Sequence, residues 1–140
     1  FSACFALDPP PLVVNAQDDV ADGNCNAAHC SLRDAIIVAN GAPADSARSI
    51  HFAIPPLSGT SEIVIAPNAP LPMITRTVTI DGYTQPGTAV NTDPSASNAV
   101  LRIRLDGDNL SGLATGLVAC ADSVVSGLSI TRFRAAAISN

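Results

Sequence analysis

The residues best suited to chemistry in this chain are its carboxylates. Glu62 is the sole Glu among 12 acidic residues, and the Asp residues gather in two places. Asp18, Asp19 and Asp22, with Asn24 beside them, concentrate oxygen donors in one short polar stretch. A hard cation such as calcium is held by donors of this kind, so these four residues are the calcium candidates. Their spacing is not that of an EF-hand, and Asp and Asn in loops also close turns without any metal. The second group is Asp81, Asp106 and Asp108, accompanied by Arg102, Arg104, Arg132 and Arg134. Glycoside hydrolysis needs two carboxylates at a fixed separation, and proton abstraction beside a uronate needs a base next to a cation. These three Asp are therefore weak catalytic candidates, and the four Arg are candidates for contact with an anionic glycan. Bland explanations compete. Asp81 and Asp106 are each followed by Gly, as a strand-end turn requires, and Arg at alternate positions is what a solvated strand face carries. No residue is assigned a catalytic role.

Sulfur and imidazole offer a second chemistry. Cys25, His29, Cys30 and His51 could in principle surround zinc, but His29 and Cys30 are adjacent and the spacing fits no common zinc knuckle. The simpler reading makes His29 a solvated loop residue. In an exported chain Cys25 and Cys30 instead form a disulfide, closing a short loop for about 2 kcal/mol on the chain-entropy estimate. Cys4 and Cys120 remain: they pair with each other, or Cys120 is a small buried side chain. No Ser/His/Asp set or Gly-rich phosphate loop is visible, and Tyr83 is the sole Tyr in a chain without Trp. Calcium apart, nothing calls for a cofactor.

Composition narrows the partners. At 140 residues the chain has the length of one domain with a real core. Apolar residues make up 47% but aromatics only 4%, so the core must consist of stacked Ile, Val, Leu and Ala. The basic residues are seven Arg and no Lys, and the net charge is −5, which sets nucleic acid aside as a partner. No apolar run approaches the roughly 18 residues of a membrane-spanning helix. Residues 1–11 read as an export-signal remnant and a Pro-rich lead-in. Within them Cys4 and Ala6 suit a small-residue cleavage site, and Phe1-Ser2-Ala3-Cys4 suits a degenerate lipid-attachment box.

These candidates must be positioned by short elements, because 11 Pro and 9 Gly punctuate the whole chain. Leu12 to Val14 predicts a strand. One helix is expected over about 31–40: the Ser31 hydroxyl can cap the amide of Asp34 while the Asp34 carboxylate reaches back, and Asn40-Gly41 supplies a left-handed stop. Leu32, Ala35, Ile36 and Ala39 share one face, widened by Ile37 and Val38. Strands are expected at Ser49 to Ile54, Glu62 to Ala66, Thr77 to Ile80, Val100 to Leu105, Gly116 to Ala119, Val124 to Val125 and Leu128 to Ile130. Asp81-Gly82, Asp106-Gly107 and Ser126-Gly127 read as corners with a left-handed position. Leu117-Val118 and Ile138-Ser139, 21 residues apart, begin the same phrase twice, and a recurrence of that length predicts a β-solenoid.

Cys30-Ser31-Leu32-Arg33-Asp34-Ala35-Ile36, followed by Ala39-Asn40 and preceded by Asp22-Gly23-Asn24-Cys25, closely resembles the CSLREA motif of exported bacterial β-helix repeat proteins. The block from Pro70-Leu71-Pro72 to Tyr83-Thr84-Gln85-Pro86-Gly87 is similar to a phrase that follows the motif in the same family. Asp34 departs from the motif's Glu and shortens the cap. The resemblance implies an all-β fold, a right-handed parallel β-helix with an N-terminal capping α-helix. Residues 12–48 would form that cap, and 49–140 the first coils, truncated at their C-terminal end. The open last coil would be covered by further coils or by another chain. The implied setting is the cell surface or extracellular space. The leading functional expectation is a non-enzymatic module, a rigid stalk, adhesion surface or glycan-contact surface. The alternative is the first segment of a β-helical polysaccharide lyase, hydrolase or epimerase whose catalytic coils lie past residue 140.

Overall fold

The computed structural model describes residues 9–56, 61–120 and 122–139. Within them the β-branched runs become nine short strands separated by Pro, Gly and Asn/Asp turns. β1 (Leu12–Val14) precedes the helix α1 (Leu32–Asn40), and then come β2 (Arg48–Phe52), β3 (Ile63–Ile65), β4 (Val78–Asp81), β5 (Ile103–Asp106), β6 (Thr115–Val118), β7 (Val124–Ser126), β8 (Leu128–Thr131) and β9 (Ala136–Ser139). They form three separate sheets, ordered β1-β2-β4-β7, β3-β5-β8 and β6-β9, and every strand pair is parallel. Among the described residues no helix is long and apolar enough to cross a membrane.

Register places like on like. Leu12 lies beside Ile50, Ile50 beside Ile80, and Ile80 beside Val125. In the second sheet Ile63, Ile103 and Leu128 form one row and Ile65, Leu105 and Ile130 the next. These inward residues, together with Leu117 and Ala119, meet in one core cluster that also contains Leu32, Ala35, Ile36 and Ala39 of α1. Aliphatic side chains with few rotamers fill such a core without aromatic anchors. Among the described residues Phe52 is the one aromatic that is fully buried. Where β2 ends, side chains take over its hydrogen bonding: the Thr84 hydroxyl accepts from the Phe52 amide, and the Gln85 amide group both accepts from and donates to the Ile54 backbone, each bond at 2.8 Å.

The expected all-β β-helix is corrected by this arrangement. The described residues form a small mixed α/β domain, with nine short parallel strands in three separate sheets and one α-helix. The physical reason lies in α1. It is not a lid laid over a finished stack, because its buried face contributes to the same core as the strands. The 21-residue recurrence is real as a pairing, since Leu117 stands beside Ile138, but it describes only the β6-β9 pair. Elsewhere the sequence distance between partners is unequal, as Leu12 with Ile50, Thr79 with Val124 and Ile103 with Leu128 show. Ile37 is also more exposed than the broad apolar face of α1 implied.

Two glycine expectations are corrected as well. Gly41 caps α1 in the right-handed conformation, φ −79°, so the helix does not stop through a left-handed residue. Its end is held by Asn40, whose side chain donates to the Met73 carbonyl and accepts from the Thr75 amide, both at 2.9 Å. Neither Gly82 nor Gly107 is left-handed; Gly82 opens a short 3-10 turn, Gly82–Thr84. What Gly82 requires is space, because a Cβ there would sit 2.2 Å from the Gly127 carbonyl oxygen. Gly127 has φ +71°, and a Cβ on it would meet the Tyr83 nitrogen at 2.5 Å and the Gly82 carbonyl carbon at 2.9 Å.

Substituting these glycines separates the two roles. Gly82→Ala, which must push the backbone of residue 127 aside, is expected to lose roughly 1–3 kcal/mol or more in urea unfolding. Gly41→Ala, whose Cβ meets nothing nearer than 3.5 Å, is expected to gain about 0.4–1 kcal/mol by restricting the unfolded chain. A destabilised Gly41→Ala would show that the cap needs glycine after all.

Candidate functional site

The polar segment between β1 and α1 folds around one buried acid. Ser31 adopts the extended N-cap conformation, φ −78° and ψ 167°, and its hydroxyl accepts from the Asp34 amide at 3.1 Å. The Asp34 carboxylate reaches back to accept from the Ser31 amide, completing the capping box in spite of the shorter side chain. Asp34 is fully buried. A buried carboxylate needs hydrogen-bond donors and compensating charge. Its Oδ1 accepts from the Asp22 amide at 2.9 Å and the Gly23 amide at 3.1 Å, and the positive end of the α1 dipole lies beside it. One acid thus ties the start of the helix to the loop ahead of it.

Cys25 and Cys30 form the expected disulfide, with their Cα atoms 4.3 Å apart. The loop they close is ordered by Asn26, whose carboxamide oxygen accepts from the amides of Ala28 and His29. Asn15, just after β1, clasps it from outside, accepting from the Cys30 amide at 2.7 Å and donating to the Asn26 carbonyl at 2.9 Å. His29 is therefore not a free loop residue. Its Nε2 lies 3.0 Å from Asp18 Oδ1, its Nδ1 lies 3.4 Å from Asp34 Oδ2, and its side chain is 29% exposed. The hydrogen bond to Asp18 raises the imidazole pKa above its ordinary value; partial burial opposes this, and the charges of Asp18, Asp34 and Asp22 add to it. Ligand atoms of Asp22, His29 and Asp34 all lie within 4.8 Å of one another.

This grouping differs from both metal sets read from the sequence. Of the calcium candidates, Asp18 faces His29 and accepts from the Val20 amide. Asp19 is paired with Arg33 through two bonds of 2.9 Å and also accepts from the Asn68 amide. Asp22 accepts from the Asn24 amide through one oxygen, and Asn24 donates from its side chain to the Asp22 carbonyl. Asp18 and Asp22 thus lie beside His29, while Asp19 is directed away to Arg33. In the zinc set, disulfide formation removes both Cys25 and Cys30 as thiolate ligands, and His51 lies on β2 opposite Val13. Asp34 was absent from either set. Its only signal in the sequence was the capping box, which accounts for a carboxylate at this position without indicating what else it touches.

The carboxylates considered for polysaccharide chemistry fall on different sheets. Asp81 ends β4 and accepts from the Tyr83 amide at 2.9 Å, capping the 3-10 turn. Asp106 ends β5, is 2% exposed, and accepts from the Asp108 amide at 3.0 Å. Arg132 donates to Asp106 at 2.6 Å, and the Arg104 guanidinium lies 3.8 Å from it. Arg132 reaches that position from a left-handed backbone conformation, φ 60°, at a steric cost of roughly 1–2 kcal/mol. Asp108 is exposed and 3.4 Å from the same Arg132, while Arg104 extends the ladder to Glu62 at 3.4 Å. Arg102 donates to the carbonyls of Gly87 and Ser61, and Arg134 is exposed. Cys120 holds its sulfur 3.3 Å from the Arg76 carbonyl, and Cys4 lies outside the described residues.

No protein-family model, curated protein or solved structure matches the chain. The resemblance to CSLREA-motif proteins accordingly rests on the quoted motifs alone.

The buried acid can be tested apart from any ligand. In urea unfolding with a chelator present, Ser31→Ala is expected to lose about 1 kcal/mol, the usual worth of an N-cap. Asp34→Ala is expected to lose more, about 2–4 kcal/mol, because it leaves the Ser31, Asp22 and Gly23 amides without their acceptor. Equal losses in the two variants would mean that Asp34 does no more than cap.

Proposed function

We propose that the chain is a non-enzymatic module of the extracellular space or cell surface, a rigid spacer that presents a contact surface to anionic glycans. The observation that carries this reading is the use made of Asp81 and Asp106. Each closes the turn that follows its strand, and Asp106 is further held by Arg132. A general acid or a nucleophile needs an oxygen that can reach substrate, and both Asp106 oxygens are committed, one to a backbone amide and one to a guanidinium, while Asp81 gives one oxygen to the Tyr83 amide. The disulfide suits an oxidising compartment. The exposed guanidiniums of Arg132 and Arg134 supply the charge an acidic sugar would meet.

Affinity electrophoresis through gels containing acidic or neutral polysaccharide tests the reading. Retardation is expected only in acidic gels. It should weaken with salt and fall severalfold in Arg134→Ala, which removes no described ion pair. Incubation with the same polysaccharides should release neither reducing ends nor unsaturated uronate. Turnover that disappeared in Asp106→Asn would instead make the chain part of a polysaccharide-active enzyme. Export predicts that a thiol probe applied to the unreduced secreted protein leaves Cys25 and Cys30 unlabelled; labelling of both would remove the export argument.

A further inference from the structure

Two carboxylates and an imidazole converge where the loop ahead of α1 meets the helix, and their spacing is that of a metal centre. His29 Nδ1 and Asp34 Oδ2 stand 3.4 Å apart. That is long for an N–H···O bond, whose usual range is about 2.7–3.2 Å. It matches the edge of a tetrahedron around zinc, where ligands at about 2.0–2.2 Å lie roughly 3.3–3.6 Å from one another. Asp22 supplies a third donor, with one ligand atom from each of Asp22, His29 and Asp34 lying within 4.8 Å of the others. One Asp22 oxygen accepts from the Asn24 amide, and the other has no protein donor among the described residues. The Oδ2 atom of Asp34 receives only longer bonds from Ser31, at 3.1 and 3.3 Å.

The surroundings of His29 favour the same conclusion. With Nε2 engaged by Asp18 at 3.0 Å, the ring nitrogen left for an ion is Nδ1, on the Asp34 side. A carboxylate on the outer nitrogen of a histidine is the usual support for a metal-bound imidazole, fixing its tautomer and raising its basicity. The Cys25–Cys30 bridge confines the loop that carries His29, so the donors are placed before an ion arrives. A ring nitrogen in the set disfavours calcium and magnesium, which take oxygen ligands, and selects first-row ions of the zinc type.

We propose that Asp22, His29 Nδ1 and Asp34 Oδ2 form a Zn²⁺ site with Asp18 as the positioning residue for His29. Asp22 is exposed, so a water molecule completes the coordination. The bound ion would fasten the loop before the helix to the first turn of α1, with binding energy adding to folding stability.

The test uses the oxidised, tag-free 140-residue chain, stripped with chelator and titrated with Zn²⁺ by calorimetry, with melting temperature followed in parallel. One Zn²⁺ per chain is expected, with a melting temperature that rises with Zn²⁺ and does not respond to the same concentration of Ca²⁺. Asp22→Asn and His29→Gln should each weaken Zn²⁺ binding at least tenfold. Asp22→Asn retains an acceptor for the Asn24 amide and should melt like the metal-free parent, which separates a lost ligand from a lost fold. Asp18→Asn should weaken binding roughly 10- to 100-fold, as loss of an outer-shell partner does. Absence of stoichiometric Zn²⁺ binding, or less than a tenfold loss in either ligand variant, would overturn the site.

Discussion

Parallel pairing in register is the constraint on which the rest of this molecule depends. A one-residue slip in any sheet would turn its buried row to solvent and its polar row inward. Ile50 is fixed between Leu12 and Ile80, and Leu105 between Ile65 and Ile130. The strands are short, so few hydrogen bonds secure any one of them. Packing of the aliphatic rows in a single core contributes most of the specificity. Turn geometry follows from the same requirement. Gly82 and Gly127 sit back to back because Asp81 and Ser126 are paired across β4 and β7, and no side chain fits between two backbones held that close.

The segment ahead of the helix is organised by electrostatics and not by packing. Asp34 gathers the Ser31, Asp22 and Gly23 amides, and Arg33, the preceding residue, turns outward to a paired contact with Asp19. The same guanidinium donates to the carbonyls of Ala69 and Pro70, so a loop near the start of the chain is bound to the connection between β3 and β4. Adjacent residues of opposite charge thereby perform complementary tasks. One satisfies amides inside the loop, and the other joins the loop to the sheets.

Much of the local structure was legible in the sequence. Every expected strand has a counterpart, and Ser31 and Asp34 form the capping box that their spacing required. The fold class was misread because periodicity reports which face of a helix is apolar but not what covers it; burial of Leu32, Ala35, Ile36 and Ala39 with the strands makes α1 part of the core. Gly82 was misread for a related reason. An Asp-Gly pair after a strand suggests a left-handed turn, whereas this glycine answers to a backbone 45 residues further on. The calcium candidates are only partly gathered in space. Asp18, Asp19 and Asp22 are near neighbours in the chain, yet only Asp18 and Asp22 lie beside His29, while Asp19 is paired with Arg33.

That dispersal shows where chemistry can reside in a chain with a net charge of −5 and no Lys. Backbone amides at strand ends and helix starts claim carboxylate oxygens first, because a buried amide without an acceptor costs about 1–3 kcal/mol. Asp81, through Tyr83, and Asp106, through Asp108 and Arg132, illustrate the claim. What remains for a ligand is whatever oxygen those contacts leave over. At Asp106 two guanidiniums already supply the countercharge. Around His29 three carboxylates face a single imidazole, and Arg33 is directed away to Asp19. Negative charge there exceeds what the neighbouring side chains neutralise, so the loop ahead of α1 is the place in the described structure where a bound cation would relieve an imbalance instead of creating one.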